Sequence, residues 1–150
     1  MNSDSEIIFR RVGSVGHVKF NRPEILNALN FDMVVKMQEV LEDWAIDPEV
    51  AVILVQGAGE RAFCAGGDIR RLAESSRNEG LDYCRNFFSS EFRLNRTVFR
   101  YPKPYVSILD GITMGGGVGL SVHGQYRIAT ERMLFAMPET GIGYFPDVGG

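Results

Sequence analysis

The run Ile112-Thr113-Met114-Gly115-Gly116-Gly117-Val118-Gly119-Leu120-Ser121 decides how this chain folds. It follows a short apolar stretch, Tyr105 to Leu109, which reads as a buried strand. It leads into Val118 to His123, which reads as a helix. Four glycines in five positions carry a high entropic cost, because glycine loses the most conformational freedom on folding. Inside a helix each costs about 1 kcal/mol relative to alanine. A domain tolerates that where the backbone bends sharply or another group must come close. A strand, a glycine-rich turn and a helix N-terminus also present N–H groups with no intrahelical partner. Such groups suit an anion, or an oxygen that becomes anionic in a reaction. Two readings follow: an oxyanion hole, or a tight turn with close helix–strand packing.

Ala65-Gly66-Gly67-Asp68-Ile69 has the same setting, after the β-branched run Ala51 to Val55 and before a helical stretch from Ile69 to Ser75. Asp68 at the helix start suits the dipole and can cap the helix. Here the readings are a second backbone donor facing the same oxygen as Gly116, or a capped turn. Between strand and turn, Gly57-Ala58-Gly59-Glu60-Arg61-Ala62 matches the dinucleotide fingerprint G-x-G-x-x-G/A. That fingerprint requires a helix to begin at once. Phe63 to Asp68 has no helical period, so a nicotinamide site is not expected.

Upstream, Ile7 to Val12 and Val15 to Phe20 read as a hairpin joined by Gly13-Ser14. His17 alternates with Val18 and is expected to be a satisfied structural histidine. Asn21-Arg22-Pro23 breaks the strand. Phe31 to Ile46 carries apolar residues at helical spacing, with Asn30 as cap and Asp47-Pro48 as stop. Leu81 to Phe99 reads as a helix whose aromatic residues are spread widely enough for burial on more than one side. Glu91 stands among them, either on a solvated face or at the rim of a pocket.

Pro102 and Pro104 stop that helix, and Tyr126 to Ala129 and Met133 to Ala136 read as short strands around a turn at Glu131-Arg132. Met137 to Asp147 holds two prolines and two glycines and reads as irregular. It carries Glu139 and Asp147, and carboxylates in an apolar segment are seldom buried without a partner or a task. Strands alternating with helices, with no internal repeat, indicate one α/β domain over residues 1–150.

A net charge of −3, with no basic cluster longer than Arg70-Arg71, argues against nucleic acid or an anionic membrane as partner. An anionic ligand would have to be bound by a pocket. Cys64 and Cys84 form no CxxC, and His17 and His123 lack partners at ligand spacing, so no metal site is expected. Two free thiols suit a reducing compartment. No apolar run approaches the ~20 residues that span a bilayer. The polar start, Met1 to Glu6, resembles neither a secretory signal nor an Arg-rich transit peptide, so the cytoplasm is the default expectation. A stop at Asp147-Val148-Gly149-Gly150, within a glycine-rich connection, suggests a piece of a longer protein.

Phe63-Cys64-Ala65-Gly66-Gly67-Asp68-Ile69, Gly115-Gly116-Gly117 and Met137-Pro138-Glu139 together resemble the crotonase (enoyl-CoA hydratase/isomerase) superfamily. Asn21-Arg22-Pro23 followed by Leu26-Asn27-Ala28-Leu29 resembles its N-terminal region, and the likeness runs from about Ile7 to the end. Gly111 to Gln125, and Phe135 to Thr140 with Phe145 to Gly150, are most similar to its 3-hydroxyisobutyryl-CoA hydrolase branch. The resemblance implies an α/β crotonase fold of stacked ββα turns. A helical C-terminal part that completes the pocket or trimerises would be absent here. It implies an acyl-CoA partner, no separate cofactor, and a possible homo-oligomer. The compartment would be the mitochondrial matrix if the protein were eukaryotic and already processed.

By motif match the thioester carbonyl would be held by the N–H groups of Gly67 and Gly116. Ala65, Asp68 and Ile69 would line the CoA channel, and Arg22 would meet CoA phosphates. Hydratases of the superfamily carry a glutamate at the position of Gly119, paired with one at Glu139. Here that pair is broken, while Glu139 and Asp147 are present as in the hydrolase branch, and Glu91 would hold the polar acyl end. The expected reaction is hydrolysis of 3-hydroxyisobutyryl-CoA in valine breakdown. The alternatives are a hydratase or isomerase of the same superfamily, and a non-catalytic acyl-CoA-binding or assembly protein.

Overall fold

Two strands, β1 (Ile7–Val12) and β2 (Val15–Phe20), form the expected antiparallel hairpin, with Gly13 at φ 59° in its turn. The computed structural model describes residues 5–150, and the start from Met1 to Asp4 lies outside the described residues. Strand β2 pairs in parallel with β3 (Val52–Gly57), β3 with β5 (Tyr105–Leu109), and β5 with β7 (Tyr126–Ala129). The large sheet therefore has the order β1-β2-β3-β5-β7. A second, all-parallel sheet holds β4 (Ala62–Cys64), β6 (Ile112–Met114) and β8 (Leu134–Ala136), in the order β4-β6-β8.

The chain thus places one strand in each sheet three times over. After β3 and β4 come helices α2 (Ile69–Asn78) and α3 (Asp82–Phe99), and after β5 and β6 comes α4 (Gly116–Val122). After β7 and β8 comes a 3₁₀ turn, Glu139–Ile142. This is the stacked ββα arrangement that the resemblance implies. The backbone repeats although the residues do not. Strands of three residues leave no readable period, which is why β4 and β6 were not expected. It also separates the two short strands around Glu131-Arg132, since β7 joins the large sheet and β8 the small one.

Helix α1 (Phe31–Ile46) begins where Asn30 accepts a hydrogen bond from the Met33 N–H at 2.9 Å. It lays Met33, Val34, Met37 and Leu41 on the core. From the sheet, Val18, Phe20, Ile53, Val55 and Tyr105 meet them, joined by Phe87, Leu94 and Val98 of α3. Each such side chain contributes about 1.5–3 kcal/mol through burial. The Tyr105 hydroxyl donates to the Leu120 carbonyl at 3.0 Å and ties β5 to α4.

His17 does lie on a strand face, but the expectation that it is satisfied does not hold. Its Nε2 is buried without a protein partner among the described residues. Burial, with Lys19 and Arg10 nearby, lowers its pKa and keeps it neutral. The nicotinamide fingerprint is answered too: no helix follows Gly57 to Ala62, which instead leads into β4.

Candidate active site

Each glycine-rich run is a turn from a strand of the small sheet into a helix. Strand β4 gives way to Ala65, Gly66 and Gly67, and Asp68 then caps α2 by accepting from the Arg71 N–H at 3.2 Å. The turn is fixed from behind by the segment Leu26–Leu29. The Leu29 N–H donates to the Gly66 carbonyl, and the Asp68 N–H donates to the Leu29 carbonyl, both at 2.8 Å. These bonds leave the Gly67 N–H facing away from Leu29, in a turn that the second glycine run abuts. There β6 gives way to Gly115, at φ 51°, and Gly116 opens α4. The turns abut: a Cβ on Gly66, whose φ is 105°, would stand 3.2 Å from the Gly116 nitrogen and 3.3 Å from Gly115 Cα. Only glycine fits such a contact at that dihedral. Among the described residues, neither the Gly67 nor the Gly116 N–H meets a protein acceptor.

Three carboxylates converge on these turns. Glu91, 3% exposed on α3, lies directly against Gly116, so that a Cβ there would collide with its Oε1. Glu139 heads its 3₁₀ turn with Oε1 3.2 Å from where a Cβ of Gly115 would sit, and its buried Oε2 has no partner. Asp147 is half-buried close by. Burial pushes the Glu91 carboxyl up to about 8, helped by the charges of Asp147 and Glu139. Burial, then Glu139, also raises Asp147. Like charges in a dry site resist joint ionisation, so at neutral pH Glu91 keeps its proton and can donate a hydrogen bond. Tyr144 is raised as well, by burial and then by Asp147, Glu91 and Glu139, which puts its ring beside the same cluster.

The other expected residues fall as follows. Ala65 and Ile69 flank the first glycine turn, with Ile69 54% exposed at the start of α2. Asp68 turns inward, to its own helix and to Arg22 at 3.1 Å. Arg22 is engaged by protein groups. Its guanidinium is pinned by Glu6 at 3.1 Å, by the Ala28 carbonyl at 2.8 Å and by Asp68. It holds the Leu26–Leu29 segment against the cap of α2, and a phosphate would have to displace protein acceptors to reach it. The Cys64 thiol, fully buried beneath the site, is pushed up to about 12 by burial and is not a nucleophile. Among the described residues no cluster of His, Cys, Asp and Glu is arranged to hold a metal ion, and no helix is long and apolar enough to cross a membrane.

Sequence reasoning missed three supports. Asn27, fully buried at φ 56°, donates to the carbonyls of Ala58 and Ala62 at 3.0 and 2.8 Å and accepts from the Arg22 N–H at 3.0 Å. His123 Nε2 donates to the Val148 carbonyl and anchors the segment that carries Asp147. Asn95 lies on α3 four residues after Glu91. That i, i+4 polar pair on an otherwise apolar face was the available signal.

Position 119 is closed. A Cβ on Gly119 would stand 2.8 Å from both Asn95 Oδ1 and Val148 Cβ. No carboxylate can project there without displacing both.

The family model described as enoyl-CoA hydratase/isomerase matches residues 15–150. A Danio rerio protein named 3-hydroxyisobutyryl-CoA hydrolase, mitochondrial, is 55% identical over 146 residues, 97% of this chain and 38% of that protein. A solved carnitinyl-CoA dehydratase from Mycobacterium thermoresistibile superposes with TM-score 0.94 at 46% identity, over 97% of this chain and 43% of its own. An enoyl-CoA hydratase from Rhodobacter sphaeroides 2.4.1 does so with TM-score 0.93 at 41% identity, again over 97% and 43%. The chain therefore spans about two-fifths of the length of these three proteins.

Proposed function

The chain belongs to the enoyl-CoA hydratase/isomerase family, and from that premise we propose that it carries the acyl-binding half of an acyl-CoA thioester hydrolase acting on a short hydroxyacyl group of the 3-hydroxyisobutyryl type. One observation carries this reading: Glu91, Glu139 and Asp147 meet beside two abutting glycine turns, while the position of the hydratases' other glutamate is closed.

In this reading the thioester oxygen accepts hydrogen bonds from the Gly67 and Gly116 N–H groups. Its charge grows as the carbonyl carbon becomes tetrahedral, which is when such donors contribute most; losing one costs about 3 kcal/mol. Glu139, whose unpartnered Oε2 is free to accept, takes a proton from water as the water oxygen bonds to the carbonyl carbon. The C–S bond then breaks, the proton passes to sulfur, and a free acid and CoA leave. Asp147 holds the water, and protonated Glu91 donates to the polar end of the acyl group. CoA is consumed as part of the substrate, so the reaction needs no separate cofactor. The Danio rerio relative's printed name favours a mitochondrial location over the cytoplasm.

The dehydratase and hydratase names of the superposed structures favour a second reading, addition of water to an enoyl-CoA. Gly119 weighs against it, because that chemistry in the superfamily uses paired carboxylates. The complete protein separates the two. Thiol release from 3-hydroxyisobutyryl-CoA, with no change in enoyl absorbance for crotonyl-CoA, is expected. The reverse pattern establishes the hydratase. Tight ester binding with neither reaction establishes a binding protein.

A further inference from the structure

Helix α3 faces the site with Phe87, Glu91 and Asn95 at four-residue spacing, and each side chain is set against a glycine. Phe87 abuts Gly67, Glu91 abuts Gly116, and Asn95 abuts Gly119. The first two glycines are those assigned above to the thioester oxygen. Asn95 is the next step along the same stripe, four residues or about 6 Å along the helix axis past Glu91.

Asn95 is 6% exposed, yet neither its Oδ1 nor its Nδ2 has a protein hydrogen-bond partner among the described residues. Folded proteins rarely leave both ends of a carboxamide unpaired in the interior, and where they do a function or a bound group accounts for it. The Asn95 amide lies edge-on to Gly119, 2.8 and 2.9 Å from where a Cβ would be, which is why residue 119 carries none. Val148 Cβ closes on the same point, 2.8 Å from where a Gly119 Cβ would be. The Val148 backbone sits at φ 47°, a conformation that a β-branched residue adopts only at a cost. Val148 is held there by the bond of its carbonyl to His123 rather than by its own preference.

We propose that Asn95 is a specificity-determining residue whose carboxamide binds a hydroxyl group on the acyl chain of the substrate. A hydroxyl both accepts, from Nδ2, and donates, to Oδ1, so it is the small group that answers either unpaired end. The oxygen of a hydroxyl two carbons beyond the thioester carbonyl has two lone pairs, so it accepts from protonated Glu91 and from Asn95, its neighbour one turn along α3. The inference rests on the acyl-CoA reading above and adds the chemical feature that the pocket selects.

The test compares the complete protein with its Asn95→Leu variant, which nearly conserves volume. kcat/KM for thiol release is measured with 3-hydroxyisobutyryl-CoA and with isobutyryl-CoA. The expected result is a fall of about tenfold or more in the preference for the hydroxylated ester, since a site built to hydrogen-bond a hydroxyl discriminates through that bond. Turnover of isobutyryl-CoA stays within about threefold of the parent. Equal losses on both esters, or an unchanged preference, overturn the proposal and leave Asn95 a structural amide. If Asn95→Leu does not fold, Asn95→Ser is read by the same ratio. If the parent releases no thiol from either ester, the hydrolase reading has failed by itself. The ratio of Kd values for the two non-hydrolysable thioether analogues then decides Asn95 in the same way.

Discussion

Replacing Glu91 by Gln tests the central electrostatic claim, because glutamine has the shape of the protonated carboxyl and cannot ionise. The Glu91 carboxyl titrates near 8 in the fold against an ordinary 4.5. Below pH 4.5 it is protonated both folded and unfolded, and burying it carries no ionisation penalty. Between 4.5 and 8 the unfolded chain gives up the proton while the folded chain keeps it, so the unfolded state gains and stability falls as pH rises. Above 8 the loss is complete. At about 1.4 kcal/mol per pH unit, the gap corresponds to a penalty of about 5 kcal/mol, mostly accrued between pH 5 and pH 8. The Glu91→Gln variant escapes it. Its stability advantage over the parent should therefore be about 4 kcal/mol larger at pH 8 than at pH 5. Urea unfolding read by the fluorescence of Trp44, the single tryptophan, measures this directly. An advantage that is the same at both pH values, or a parent that is the more stable at pH 8, would refute a buried, protonated Glu91.

Glu139→Gln and Asp147→Asn should each lower thiol release by about 10²- to 10⁴-fold with little loss of ester binding; near-normal turnover in Glu139→Gln removes that residue from the chemistry. Gly116→Val should abolish turnover, since its side chain would have to occupy the position of Glu91. Asn27→Ala should cost about 2–4 kcal/mol in urea unfolding, because two buried carbonyls and one N–H lose their partner. Arg22→Ala should destabilise by about 1–3 kcal/mol while leaving KM for the CoA ester nearly unchanged; a tenfold rise in KM at unaltered stability would restore the phosphate role that the resemblance implies.

The sequence by itself determined the elements whose signals are local. The β1–β2 hairpin, α1 with its Asn30 cap, and the glycine turns that lead into α2 and α4 were legible, because alternation, helical spacing and glycine clusters are written in adjacent residues. The burial of Glu139 and the partial burial of Asp147 were legible as carboxylates in a segment too apolar and too irregular to solvate them. What only the tertiary structure decided is which distant residues share a wall. Nothing near Arg22 in sequence says that its charge is spent on Asp68, 46 positions away. Nothing near Asn95 says that it occupies the space beside Gly119. Strands β4 and β6 are too short to carry a period, and β8, though expected as a strand, gives no sign of its sheet, so the second sheet, and with it the contact between the two glycine turns, arises from long-range pairing. The two glycine turns and the three carboxylates lie together because that pairing sets strand beside strand, and the free energy that enforces it comes from a core that draws on residues from Ile7 to Leu120.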